Sequence, residues 1–153
     1  MGQLTVSKLQ VFLLDPKATV PTRNLATDAG TDIYSLGDVF IPVGATVLVK
    51  TGVAIRVLEG HVGLLRERSS IGKKGLKVAG GVIDASYTGD ISILLMNFSN
   101  TEHPHGNERG YLVKAGDRIA QILIVPVDIA PIQVVDTLWT SERGSKGLGS
   151  SGK

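Results

Sequence analysis

The sequence contains no cysteine, which excludes disulfides and every zinc site that needs thiolate ligands. Aromatic residues make up only 5% of the chain, so its core must be built from aliphatic side chains. No apolar run approaches the roughly 20 residues of a membrane-spanning helix. The stretch from Met1 to Leu14 scatters polar and charged residues where a secretory signal needs a continuous apolar region. These absences lead to the expectation of an intracellular protein with no membrane partner. Charge imbalance is lacking too: a net charge of +2 over 153 residues is too small to indicate a nucleic-acid partner by itself. The three histidines, His61, His103 and His105, form no metal-ligand set and read as surface residues. No HExxH or Gly-x-Ser-x-Gly pattern occurs, and the glycine-rich tail does not match a P-loop.

What is present points to one β-rich domain. Hydrophobic residues make up 42% of the chain and charged residues 20%, a soluble globular balance with enough chain for a core. The 19 glycines, set among many Val, Ile and Leu, predict short strands joined by tight turns. Strands are expected at Leu4 to Leu14, Val39 to Ile41, Thr46 to Val49, Val53 to Leu58 and His61 to Leu65, then around Ile91 to Met96, at Ile119 to Val127, and at Ile132 to Val135. Ile91, Ile93 and Leu95 share one strand face, and its other face is also mostly apolar, so this strand is expected to be central. Residues 70–76 allow one short turn of helix and no more. The pattern predicts an all-β barrel or sandwich over residues 1–142, with residues 143–153 as a mobile, glycine- and serine-rich tail.

Four segments carry polar chemistry. They are Asp28 to Ser35, Arg68 to Gly75, Gly80 to Asp90, and the tail from Arg143 to Gly152. In the second, a guanidinium, two hydroxyls and successive backbone N–H groups at Arg68, Ser69 and Ser70 suit phosphate oxygens, and an ordinary surface turn accounts for the same residues. The cations Arg66, Arg68, Lys73, Lys74 and Lys77, opposed only by Glu67, suit either a solvated loop or a compact polyanion such as a triphosphate. Asp84, placed after Gly80-Gly81-Val82-Ile83, could act as a general base on water or simply close a turn. Tyr87 could stack on a sugar or base, or pack in the core. A lone Asp32 after Gly30 is ordinarily a turn residue.

Taken in order, these segments resemble the five motifs of the trimeric dUTPase family. The motifs are Ala29-Gly-Thr-Asp-Ile33, Arg68-Ser-Ser70, Gly81-Val-Ile-Asp-Ala-Ser-Tyr-Thr-Gly89, Gly116-Asp-Arg-Ile-Ala-Gln121 and the tail from Arg143 to Gly152. Ser-Ser in the second motif is similar to retroviral and some phage members. The resemblance implies a jelly-roll-like, β-clip subunit assembled as a homotrimer, with active sites shared between chains and closed by the tail. It implies hydrolysis of dUTP to dUMP and pyrophosphate, which limits uracil incorporation into DNA and supplies dUMP. It also implies Mg2+ as cofactor. In this pattern Asp84 would be the general base on the attacking water and Gln121 would hold that water or the α-phosphate. Arg68, Ser69 and Ser70 would bind the α- and β-phosphates. The main chain of Ala79, Gly80, Gly81, Val82 and Ile83, as a β-hairpin, would read the uracil edge. Tyr87 would pack under the deoxyribose and exclude a 2′-hydroxyl. Arg143 would pair with the γ-phosphate beside Gly149, Ser150 and Ser151, and Asp32 would reach magnesium through water.

Two positions depart from the family pattern. Leu148 stands where an aromatic residue usually lies over the uracil, a loss of stacking worth about 1–3 kcal/mol, and Thr88 stands where Arg is usual. Rival readings also use a β scaffold. A dCTP deaminase would need a Glu base, and no Glu adjoins Asp84. A nucleotide-holding signalling protein would be favoured by an insert between the motifs, and none is seen. A structural jelly roll would give the five segments no reason to occur together.

Overall fold

The computed structural model describes residues 9–99, 103–105, 108–142 and 144–145. The strands in chain order are β1 (Gln10–Leu13), β2 (Thr31–Tyr34), β3 (Val39–Pro42), β4 (Thr46–Val49), β5 (Val53–Arg56) and β6 (His61–Arg66), followed after a short helix α1 (Ser69–Lys73) by β7 (Leu76–Ala79), β8 (Val82–Ile83), β9 (Ile93–Asn97), β10 (His103–His105), β11 (Glu108–Val113) and β12 (Arg118–Pro126). Among the described residues they form four small antiparallel sheets, ordered β1-β5, β10-β11-β3, β2-β12-β6-β8 and β4-β9-β7. The expected all-β, jelly-roll-like architecture is therefore observed. No helix among the described residues is long and apolar enough to cross a membrane.

One aliphatic core joins the sheets. It takes Ile33 from β2, Ile41 from β3, Val49 from β4, Ile55 from β5, Leu65 from β6, Leu76 from β7, Ile93 and Leu95 from β9, and Val113 from β11. Alternation along each strand is what permits this, because successive side chains face opposite ways. In β2, Thr31 and Ile33 point inward while Asp32 and Tyr34, less deeply buried, lie on the other face. In β9, Ile93 and Leu95 are wholly buried, and the strand lies between β4 and β7, the central position expected for it.

Strand β12 carries the irregularity that shapes the site. Its register against β2 shifts between Arg118 and Ala120, leaving Ile119 as an extra residue. Such a bulge re-aims the side chains on either side of it. Ile119, Ala120 and Ile122 all enter the core. Gln121 remains on the opposite face, paired with Asp32 on one side and Arg66 on the other.

Several expectations need correction. No strand forms at Ile132 to Val135: Ile132 is 98% exposed and Val134 93%. β-Branched composition makes a strand only where a sheet edge accepts it, and a single chain offers none there. Among the described residues the first strand is β1, paired with β5, and residues 4–8 of the longer expected run lie outside them. Asp32 is not a turn residue but sits in β2. β7 and β8 are not a hairpin pair, since β7 bonds to β9 while β8 bonds to β6. Gly80 and Gly81, with φ of 75° and 65°, carry the chain between the two sheets in a conformation that favours glycine. The strands β10 and β11 were not legible, because His103-Pro104-His105 and the polar start of β11 lack an apolar period.

Candidate functional site

A hollow of about 610 Å³ opens where β2, β12 and the start of α1 meet. Three of the motif-like segments converge there. Asp32 lies at its centre, 14% exposed, accepting from Arg68 Nε at 2.8 Å and from Arg118 Nη1 at 3.3 Å. Both carboxylate oxygens are thus engaged by guanidinium groups. Arg68 also donates to the Ser70 hydroxyl at 3.2 Å, so the guanidinium is held from two directions. The remaining faces of Arg68, with the Ser69 and Ser70 hydroxyls, border the open space. The first N–H groups of a helix such as α1 have no partner within it.

Gln121 is positioned by backbone on both sides. Its Nε2 donates to the Glu67 carbonyl at 3.1 Å, and its side-chain oxygen lies directly over Gly30. A Cβ at position 30 would collide with that amide and push it from its place, so the glycine leaves the room in which the Gln121 side chain sits. The hollow therefore presents an amide oxygen, fixed in place, beside two hydroxyls and two guanidiniums.

The charges of this hollow balance. Arg68 and Arg118 are matched by Asp28 and Asp32, and Asp28 accepts from the Leu25 N–H at 2.9 Å. A polyanion bound here thus needs cations from elsewhere. The broader basic cluster does not supply them at this hollow. Of Arg66, Arg68, Lys73, Lys74 and Lys77, only Arg68 lines it, and the Lys74 ammonium lies 2.6 Å from the Tyr111 hydroxyl and over its ring. Arg118 is the residue that sequence reasoning missed. It stands inside the Gly116 to Gln121 segment but was given no role, and its ion pair with Asp32 requires the bulged register of β12.

A second, smaller hollow of about 210 Å³ holds Asp84 and Tyr87, with Val82, Ile83, Asp90 and Ser92. Asp84 is exposed, and among the described residues no hydrogen bond reaches its carboxylate. Its carbonyl accepts from the Tyr87 N–H at 3.0 Å, closing a turn. The Gly81 carbonyl accepts from Leu65 N–H at 2.8 Å, fixing the crossover that precedes Asp84. Ala79 is paired with Leu94 in the β7–β9 ladder, and Gly80 is exposed. The two hollows share no lining residue. Arg143, Leu148, Gly149, Ser150 and Ser151 lie outside the described residues. Among the described residues, no cluster of three or more His, Cys, Asp or Glu could hold a metal ion by itself.

The dUTPase family model matches residues 16–152. The deoxyuridine 5′-triphosphate nucleotidohydrolase of Saccharomyces cerevisiae is 39% identical over 146 residues, covering 94% of each chain. The corresponding protein of Corynebacterium diphtheriae is 40% identical over 149 residues, covering 95% of this chain and 93% of that one. Among solved structures, the Staphylococcus bacteriophage 80alpha dUTPase with dUpNHpp superposes with a TM-score of 0.82 at 36% identity, over 95% of this chain and 99% of the phage chain. A mutant dUTPase of phage phi11 of S. aureus, described with a structural Mg(II) ion, superposes at 0.78 with 32% identity over 88% of this chain and 100% of that one.

Proposed function

This chain belongs to the dUTPase family, hydrolysing dUTP to dUMP and pyrophosphate, and on that premise we propose how its two hollows divide the reaction. The Asp32 hollow takes the triphosphate. Arg68, Ser69 and Ser70 donate to the α- and β-phosphates, where charge builds during attack at phosphorus. The Asp84 hollow takes the nucleoside: Tyr87 forms the wall under the sugar, and the main chain of Ala79 to Ile83 reads the uracil. Asp84 accepts a proton from water as the water attacks the α-phosphorus. The bond from that phosphorus to the bridging oxygen breaks, and pyrophosphate leaves. Gln121, with its amide nitrogen tied to Glu67, offers its oxygen to the water.

The observation that carries this reading is the Arg68–Asp32–Arg118 chain beside Ser69, Ser70 and Gln121 in one hollow. Its balanced charge also supports a role for Mg2+. Both Asp32 oxygens are already bonded, so a direct ligand role does not fit, whereas contact through water does. Magnesium commonly keeps several waters and binds through substrate phosphates. Held by the triphosphate with Asp32 behind its waters, it would neutralise phosphate charge. Arg143 would add a cation at the γ-phosphate, with Gly149, Ser150 and Ser151 beside it and Leu148 over the base.

Because Asp84 and Arg68 line separate hollows in one chain, the working site joins the Asp84 hollow of one copy to the Asp32 hollow of another. A homotrimer meets that need by closed symmetry. The exposed apolar side chains Ile129, Ile132, Val134, Leu138 and Trp139 suit an arm that is covered on association. The test is pyrophosphate release from dUTP, dCTP, UTP and dTTP with magnesium, run beside Asp84→Asn. Release from dUTP alone, lost in the variant, is the expected result. No release from well-folded protein would leave nucleotide binding without catalysis as the reading of the site.

A further inference from the structure

We propose that Asp90 is the positioning residue that fixes Tyr87 against the sugar and thereby sets discrimination between deoxyribose and ribose. The inference rests on the reading of Tyr87 as the wall of the sugar pocket. Asp90 lies at the far end of the turn that begins at Asp84, and it links that turn to the bend between β4 and β5. Its side chain is 18% exposed and accepts at both oxygens. Oδ1 receives the Thr51 hydroxyl at 3.0 Å and the Gly52 N–H at 3.0 Å, and Oδ2 receives the Ser92 hydroxyl at 2.9 Å. The Lys50 ammonium lies 3.6 Å from Oδ2.

These contacts are anchored in the rigid part of the fold. Thr51 is wholly buried, and its hydroxyl also lies 3.0 Å from the Ile91 carbonyl. Gly52 has φ of 70°, a Cβ there would meet Ala18 and Asp15 at 3.0 Å, and its carbonyl accepts from the N–H groups of Leu14 at 2.8 Å and Asp15 at 3.3 Å, so this bend is packed and bonded against the segment after β1. A carboxylate bonded by a buried hydroxyl and a backbone N–H is held far more tightly than one at a free turn.

The same residue reaches Tyr87 through its main chain. The Tyr87 hydroxyl donates to the Asp90 carbonyl at 2.9 Å, an oxygen that also accepts from Ser92 N–H at 2.8 Å. The ring folds back across Gly89. A Cβ at position 89 would lie 2.6 Å from the Tyr87 hydroxyl and 2.8 Å from its ring carbon. Tyr87 is 44% exposed, so packing alone does not hold it, and the hydrogen bond to Asp90 with the glycine step beneath it does. A side chain that excludes a single hydroxyl must be kept in place to a fraction of an ångström. Asp90 supplies that rigidity without touching the reacting atoms.

The experiment compares kcat/KM for dUTP and UTP in wild type, Asp90→Ala, Asp90→Asn and Tyr87→Phe, with 3-fluorotyrosine labelling to follow Tyr87 by 19F NMR. Asp90→Ala is expected to lower the dUTP-to-UTP preference by about tenfold, as expected for a relaxed pocket wall. The loss should fall mainly on KM, with displacement of the Tyr87 resonance. Asp90→Asn, which keeps an acceptor for Thr51 and Gly52, should restore most of the preference. Tyr87→Phe leaves the carboxylate anchor intact and cuts only the bond from ring to carbonyl. It should shift the preference in the same direction by a smaller factor, and it decides the matter if Asp90→Ala does not fold. Unchanged preference in the folded Asp90→Ala protein, or in Tyr87→Phe where that variant must decide, overturns the proposal. A wild type without preference for dUTP over UTP would instead sink the reading of Tyr87 as the sugar wall, while the resonance shift in Asp90→Ala would still report the anchoring.

Discussion

Asp32 and Asp84 are carboxylates assigned to one reaction, and the fold treats them in opposite ways. Asp32 sits within a strand, opposite Gln121 in the ladder, 14% exposed and bonded at both oxygens by guanidinium groups. Asp84 sits in a turn, exposed, with no hydrogen bond to its carboxylate among the described residues. In the proposed mechanism the contrast separates a charge that organises from a charge that reacts. A carboxylate with both oxygens engaged holds other groups still, whereas a base must keep an oxygen available for a proton. On the proposed division of the site, the phosphate side is built by strand register within one chain, and the nucleoside side would be presented on a turn for assembly with another.

Replacing the reacting charge should have the largest effect. Asp84→Asn is expected to lower kcat by about 10²- to 10⁴-fold, the usual contribution of a general base, while calorimetry still detects dUTP binding. Loss of binding together with turnover would erase the distinction between the two carboxylates. Arg68→Ala removes a phosphate donor and one of the two cations on Asp32, and kcat should fall by about 10²- to 10³-fold. Lys at this position should restore little, because it cannot bond Asp32 and Ser70 together through a planar fork.

A finer probe leaves every charge in place. Gly30→Ala pushes the Gln121 amide from its seat, and a displacement on the order of 1 Å can lower the rate by about 10²-fold. Turnover at saturating dUTP is the readout, and an unchanged kcat would remove Gln121 from the account. On the exposed arm, Leu138→Ala or Trp139→Ala should alter the stability of a single chain by no more than about 0.5 kcal/mol. The same changes should weaken association, measured as a shift in the concentration at which the oligomer forms. A third carboxylate gives the smallest effect. Asp38 is exposed, and its carboxyl is held below the usual range, first by the hydrogen bond from Lys114 at 2.9 Å and then by the Ala115 N–H. A depressed folded value stabilises above the unfolded pKa and is lost as pH falls. Lys114→Met should therefore raise the Asp38 titration midpoint in a carbon-detected NMR titration, with activity unaltered.

The sequence made the residue types of the site legible and left their geometry hidden. Motif order singles out Arg68, Ser69, Ser70, Asp84 and Gln121; the fold brings Arg68, Ser69, Ser70 and Gln121 to one hollow and Asp84 to another. Most of the long strands were found from runs of Val, Ile and Leu, including the central position of β9. The role of Arg118 was not found, because it depends on one extra residue in the β12 ladder, and a bulge leaves no mark in composition. Motif order singles out Asp32 as well, but not its place in β2, because a four-residue strand next to a glycine carries too short a period to recognise. The run at Ile132 to Val135 was read as a strand because its composition fits one, yet a strand also requires an edge to pair with. Arg143 and the rest of the tail set lie outside the described residues, and their roles stand on the resemblance alone.

The division of the site between copies is tested most directly by mixing two inactive variants, Asp84→Asn and Arg68→Ala, after reversible unfolding of each. If each site takes Asp84 from one copy and Arg68 from another, random reassembly of equal amounts should restore dUTP hydrolysis to about a quarter of the wild-type level. If both residues of a site come from the same chain, no mixture will contain an intact site and activity will stay at the level of the separate variants.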